Sequence, residues 1–162
     1  MRYLIILFIL YSSYVTANDK ALTTIGWIEA VRIQPEEFDL QAKIDTGADH
    51  SSLDVISWQS FTRNNREWVR FDVRNNENST QSFERPLERY AQIKRKKSGV
   101  LERPVVNMWL CIGNNKFLSP VNLATRKNFK YRMLIGRSYL KERFLVDSSA
   151  RLTLSPECTA TQ

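Results

Sequence analysis

AKIDTGADHSSL, residues 42–53, is the stretch on which the reading of this chain turns. Ala42, Lys43 and Ile44 read as the end of an extended segment, and Asp45-Thr46-Gly47 follows with no spacer. Asp and Thr side chains bond to nearby backbone groups, and glycine permits a bend that a side chain would obstruct, so a sharp turn is expected here. Taken alone, the triplet describes a strand that ends in an Asx-type turn. The rest of the chain decides whether it is more than that.

Working outward, FDLQAKI (38–44) is the strand that enters the turn, and IGWIEAVRI (25–33), bounded by Pro35, is the strand before it. SSLDVISWQSF (51–61) reads as extended or mixed. NNREWVRFDVR (64–74) is the clearest hairpin signal, with a tight Asn64-Asn65 turn. Val69, Phe71 and Val73 then alternate against Arg70, Asp72 and Arg74. Residues 75–82 are polar and turn-like, and Phe83 to Leu101 is charged and poorly patterned, so 75–100 is expected to form a mobile flap or a long hairpin over a cleft. RPVVNMWLCIG (103–113) is a strand that turns through Gly113-Asn114-Asn115 into KFLSPVNLA (116–124). YRMLIG (131–136) is a strand, GRSYLKERF (136–144) a short helix, and FLVDSSARLTLS (144–155) a closing hairpin-like pair. Short strands with frequent turns indicate an all-β barrel or sandwich, here one domain over 25–155. A leader (18–24) precedes it and a C-terminal tail (156–162) follows.

Arg2, the apolar run 3–11 and the small residues up to Ala17 have the layout of a secretory signal. Cleavage after Ala17 and a periplasmic or secreted location are therefore expected, with no membrane span in the mature chain. The net charge of +7 is concentrated around Lys94, Arg95, Lys96 and Lys97, read as a solvated loop. No nucleic-acid-binding module is present, and no nucleic-acid partner is expected. Cys111 and Cys158 are either bridged in an oxidising compartment or remain as two separate thiols.

The chemistry narrows by elimination. His50 is the one histidine of the chain, so any Ser-His or Cys-His arrangement would have to be built on it. There is no H-E-x-x-H, no paired-cysteine spacing and no glycine-rich phosphate loop, so neither a metal nor another cofactor is expected. Carboxylates are left to carry a reaction.

AKIDTGA resembles the catalytic turn of aspartic peptidases, and LIGR (134–137) resembles the two apolar residues and glycine that pack beside it. Across about residues 25–150 the chain is similar to the bacterial retropepsin-like family that carries the label "ATP-dependent zinc protease". Its members are frequently found beside, or fused to, ATP-grasp ligases. The resemblance implies a pepsin-type single-lobe closed barrel with one short helix after the LIGR strand. It implies Asp45 as the catalytic residue, Thr46, Gly47 and Ala48 as loop support, and Leu134, Ile135 and Gly136 as loop packing. Asp49 and His50 depart from the basic residue and Thr of many members.

Peptide hydrolysis without a metal or a covalent intermediate needs a base for water and an acid for the scissile carbonyl, roles that two neighbouring carboxylates sharing one proton can fill. This chain has one D-T-G, and Asp54, Asp72 and Asp147 read as surface or turn residues. The expected second carboxylate is Asp45 of a second copy, giving a homodimer that acts on a peptide or protein substrate. The alternative is a non-catalytic envelope binding or regulatory protein that keeps the same fold.

Overall fold

The apolar run at 25–33 is broken at Trp27, because Gly26 lies so close to the C-terminal segment that a Cβ there would sit 2.5 Å from the Ala150 carbonyl oxygen. Two strands result where one was expected: β1 (Thr23–Gly26) and β2 (Ile28–Gln34). A computed structural model describes residues 21–95, 99–125 and 130–159, so the signal segment expected at 1–17 lies outside the described residues, as do Lys96 and Lys97.

Strand β3 (Phe38–Ile44) has the bounds read from the sequence, and Phe38, Leu40, Ala42 and Ile44 all point into the core. The chain continues as β4 (Ser51–Asp54), β5 (Ser57–Arg63), β6 (Arg66–Arg74), β7 (Thr80–Arg95), β8 (Gly99–Ile112) and β9 (Asn115–Ala124). It ends with β10 (Met133–Ile135), helix α1 (Arg137–Leu140) and β11 (Phe144–Asp147).

Six strands in the order β2-β3-β10-β4-β9-β8 close into a barrel through pairing of β2 with β8, from Arg32↔Cys111 to Gln34↔Trp109. The fold is therefore the nearly all-β closed barrel with one short helix that the resemblance implied. Ile33, Leu53, Leu110, Leu123 and Met133 fill its interior, fully buried. Strands β7, β6 and β5 continue the sheet outward from β8.

Local expectations fare differently. Of the two forms expected around 75–100, the long hairpin is present despite the poor patterning of 83–101: β7 and β8 pair antiparallel from Leu87↔Val106 to Arg95↔Gly99. Its pattern is hidden because β7 is matched by charge across strands. Glu84 accepts from Arg63 and Arg70, Glu88 from Arg66, and Tyr90 donates to Glu67. Residues 144–155, by contrast, do not form the hairpin-like pair expected. Strand β11 pairs in parallel with β1, from Thr23↔Phe144 to Gly26↔Asp147, and residues 148–155 run on without strand structure. Asp54 is not a surface charge, being only 7 % exposed and bonded to Arg132 at 2.6 Å. Cys111 and Cys158 are joined in a disulfide that ties the C-terminal segment to β8.

Candidate active site

Asp45 follows the last residue of β3, and its position is set by the strand beside it. β10 runs parallel to β3 (Met133↔Ala42 to Ile135↔Ile44) and antiparallel to β4 (Met133↔Leu53, Leu134↔Ser52). Threading β10 between the strands that enter and leave the turn puts Ile135 next to Asp45, whose N–H donates to the Ile135 carbonyl at 2.9 Å. On the other side, the Ile44 N–H donates to the Trp27 carbonyl at 2.9 Å.

The turn closes on itself. The Gly47 N–H donates to Asp45 Oδ1 at 3.1 Å, and the Ala48 N–H to the Asp45 carbonyl at 3.2 Å. Among the described residues the other carboxylate oxygen of Asp45 has no partner, nor has the Thr46 hydroxyl. Asp45 is half-buried, whereas Thr46 and Gly47 are exposed. One oxygen is thus fixed by the turn while the other is left unpartnered.

Gly136 explains why the LIG sequence must end in glycine. A Cβ there would lie 2.5 Å from the carbonyl carbon of His50 and 3.0 Å from its Cα. That close approach lets the Ser51 hydroxyl receive the Gly136 N–H at 3.2 Å, and lets the N–H groups of Arg137 and Ser138 reach the carbonyls of Ala48 (2.9 Å) and Asp49 (3.0 Å). Ile135 is thereby bonded to Asp45, Gly136 lies against His50 and Ser51, and Leu134 is paired with Lys43 and Ser52.

Arg137 has a part that apolar patterning does not signal. Its guanidinium donates to the Thr46 carbonyl at 2.8 Å and pairs with Asp49, so one side chain spans the turn. A groove of about 840 Å³ opens beside it, lined by Thr46, His50 and Arg137 and walled by Leu140, Phe144 and Leu145. Asp45 is not among the groove's lining residues.

The zinc of the family label finds no donor set here. Both cysteines are closed in the disulfide, Asp49 is taken by Arg137, and no cluster of three His, Cys, Asp or Glu exists among the described residues. No helix among them is long and apolar enough to cross a membrane.

A closed six-stranded barrel that presents D-T-G beside a Leu-Ile-Gly strand defines a single-lobe retropepsin-like protein. Residues 24–157 match the family model described as "RimB-like: Retropepsin-like aspartic endopeptidase RimB", and the chain belongs to that family. A solved structure from Legionella pneumophila subsp. pneumophila str. Philadelphia 1, the protein Lpg0085 of unknown function, is similar with a TM-score of 0.71 and 27 % identity, over 82 % of this chain and 98 % of that one. Two curated relatives are each named "Probable alpha-L-glutamate ligase". That of Desulfotalea psychrophila is 27 % identical over 71 % of this chain and 25 % of its own length. That of Parasynechococcus marenigrum is 31 % identical over 67 % of this chain and 24 % of its own. The chain thus spans about a quarter of the length of the curated relatives it matches.

Proposed function

We propose that this protein is an exported aspartic endopeptidase whose carboxylate dyad is formed by Asp45 of two chains. One observation carries the reading. The Asp45 turn offers a carboxylate with one oxygen unpartnered, while four other aspartates of the described residues are engaged elsewhere. Asp49 pairs with Arg137, Asp54 with Arg132, Asp72 accepts from Ser57 and Ser82, and Asp147 accepts from Ser149. This reading takes the second carboxylate from Asp45 of a second copy.

In such a pair, neighbouring like charges disfavour double ionisation, so one proton is shared. The ionised carboxylate takes a proton from the attacking water, and the protonated one donates to the scissile carbonyl oxygen. Thr46, exposed with an unpartnered hydroxyl, would fix the two turns to each other across the dimer. Export after Ala17 is supported by the charged, apolar and small-residue layout of residues 1–17. The net charge of +7 supports an acidic peptide as substrate, in keeping with relatives named for glutamate ligation.

The test is hydrolysis of unfolded protein and of acidic peptides by the purified dimer. Asp45→Asn is expected to abolish it with the fold retained, and a mixed dimer of wild type and Asp45→Asn should be inactive as well. The pH profile should be bell-shaped, with its two limbs belonging to the pair. Full activity from a sample shown by sedimentation to be monomeric would remove the dimer from the proposal. Absence of hydrolysis in wild type, with peptide binding retained, would leave the non-catalytic alternative.

A further inference from the structure

In β2 a glutamate stands where an apolar residue would serve packing better. Glu29 is fully buried between Ile28 and Ala30. A carboxylate withdrawn from water needs strong donors around it. Its Oε1 accepts from the Gly26 N–H at 2.6 Å and from the Thr153 hydroxyl at 2.5 Å. Its Oε2 accepts from the N–H groups of Thr153 at 3.1 Å and Leu154 at 3.2 Å. The partners come from two places far apart in sequence: the β1–β2 junction and the segment after β11.

That segment lies along the junction as a strap. The Trp27 N–H donates to the Ala150 carbonyl at 2.9 Å, and the Leu152 N–H to the Ile28 carbonyl at 2.7 Å. Gly26 is where it presses closest, since any Cβ there would meet Ala150 and Arg151 backbone atoms within 2.7 Å. Trp27 is therefore bonded on both sides, its N–H to the strap and its carbonyl to the N–H of Ile44, the residue before Asp45.

We propose that Glu29 is a positioning residue for the Asp45 turn, acting by clamping the strap 150–154 onto the β1–β2 junction that carries Trp27. The proposal rests on the reading of Asp45 as the catalytic carboxylate. It assigns no contact between Glu29 and substrate. The far end of the strap has its own anchor. The Cys111–Cys158 disulfide, the Glu157 N–H on the Gly113 carbonyl (2.7 Å) and the Gln34 amide on the Cys158 carbonyl (2.7 Å) hold it to the opposite end of β2. The two anchors make separable predictions: loosening the Glu29 end should reach the turn, and loosening the disulfide end should not.

The experiment is amide hydrogen exchange on the full mature chain, read residue by residue by NMR, together with peptidase kinetics. Glu29→Gln keeps the size of the side chain but turns an amide NH2 toward N–H donors. Its Trp27 and Ile44 amides are expected to exchange at least tenfold faster than in wild type, while the β8–β9 ladder is unchanged. On a peptide substrate kcat should fall about tenfold with KM unmoved. Thr153→Val, which removes the hydroxyl donor alone, should give the same pattern at smaller amplitude and decides the matter if Glu29→Gln does not fold. Reduction of the disulfide should leave Trp27 and Ile44 as they are. The proposal is overturned if Ile44 exchange is unchanged while Leu152 is freed, or if exchange rises equally in every strand. Because exchange is read without substrate, it decides the role of Glu29 even if the wild-type protein hydrolyses nothing.

Discussion

Around Asp45 the strands are short, with seven residues in β3, four in β4 and three in β10, and their places are set by backbone bonds and buried contacts. In the β5–β7 extension the strands run to seven, nine and sixteen residues, and much of what joins them is charge at the surface. Arg63 and Arg70 share Glu84, Arg63 stacks over the Trp68 ring at 4.7 Å, and Arg66 pairs with Glu88. The difference teaches where geometric precision comes from. Exposed ion pairs are typically worth about 0–1 kcal/mol each and tolerate rearrangement. Buried contacts have little free volume to relax into, so they place atoms sharply and punish intrusion.

Gly136→Ala is the strongest way to break this contrast. The added methyl would fall 2.5 Å from the His50 carbonyl carbon, a backbone atom that cannot move without shifting the turn. A loss of about 3 kcal/mol is expected in denaturant unfolding, at the upper end for overpacking. The peptidase activity proposed for the Asp45 turn should vanish with it. A change below about 0.5 kcal/mol would mean that the turn is as pliant as an ordinary surface position.

A middle-sized effect is expected at the Asp54–Arg132 pair, which couples the end of β4 to the residue before β10. Arg132→Met leaves the Asp54 carboxylate, whose side chain is 6 % exposed, without that cation. Removing one partner of a fully buried pair costs about 3–5 kcal/mol, and the partial exposure of Arg132 lowers the expectation to roughly 2 kcal/mol. Thermal unfolding measures it. A cost no larger than that of a surface pair would place this bridge with those of the extension and blur the distinction.

The same contrast explains what could be read from the sequence. Strand β3 and the Asp45 turn were legible because alternation, an aspartate and a glycine are local signals. The Asn64-Asn65 turn was legible for the same reason, both residues having positive φ. Asp54 was not, since the cation that permits its burial is 78 positions away in sequence. Strand β7 reads as poorly patterned because its regularity is one of charge matching across β5 and β6 rather than of alternating polarity. The parallel β1–β11 pair, the spanning role of Arg137 and the burial of Glu29 all depend on contacts between segments far apart in sequence, which no window of sequence contains.

The smallest expected effect probes the extension alone. The Glu84 carboxylate is held below the ordinary glutamate range, chiefly by the hydrogen bond from Arg63 and then by that from Arg70. A depressed folded-state pKa contributes stability that is present above the unfolded value, about 4.3, and is lost as pH falls through the folded value. The β5–β6–β7 sheet should therefore be indifferent to pH from 8 to about 5 and loosen only in stronger acid. The indole of Trp68 is a local reporter, because the Arg63 guanidinium lies over its ring. Its NMR signal should move through an acid transition in wild type and lack that transition in Glu84→Gln. The amplitude should be small and should shrink further with added salt, since water and ions screen an exposed cluster. Over the same pH step the amide of Leu53, fully buried in the barrel, should keep its protection. If Leu53 loses protection together with the Trp68 shift in wild type but not in Glu84→Gln, the surface charges of the extension support the barrel after all. The two regions would then be one cooperative unit rather than a precise core with a pliant apron.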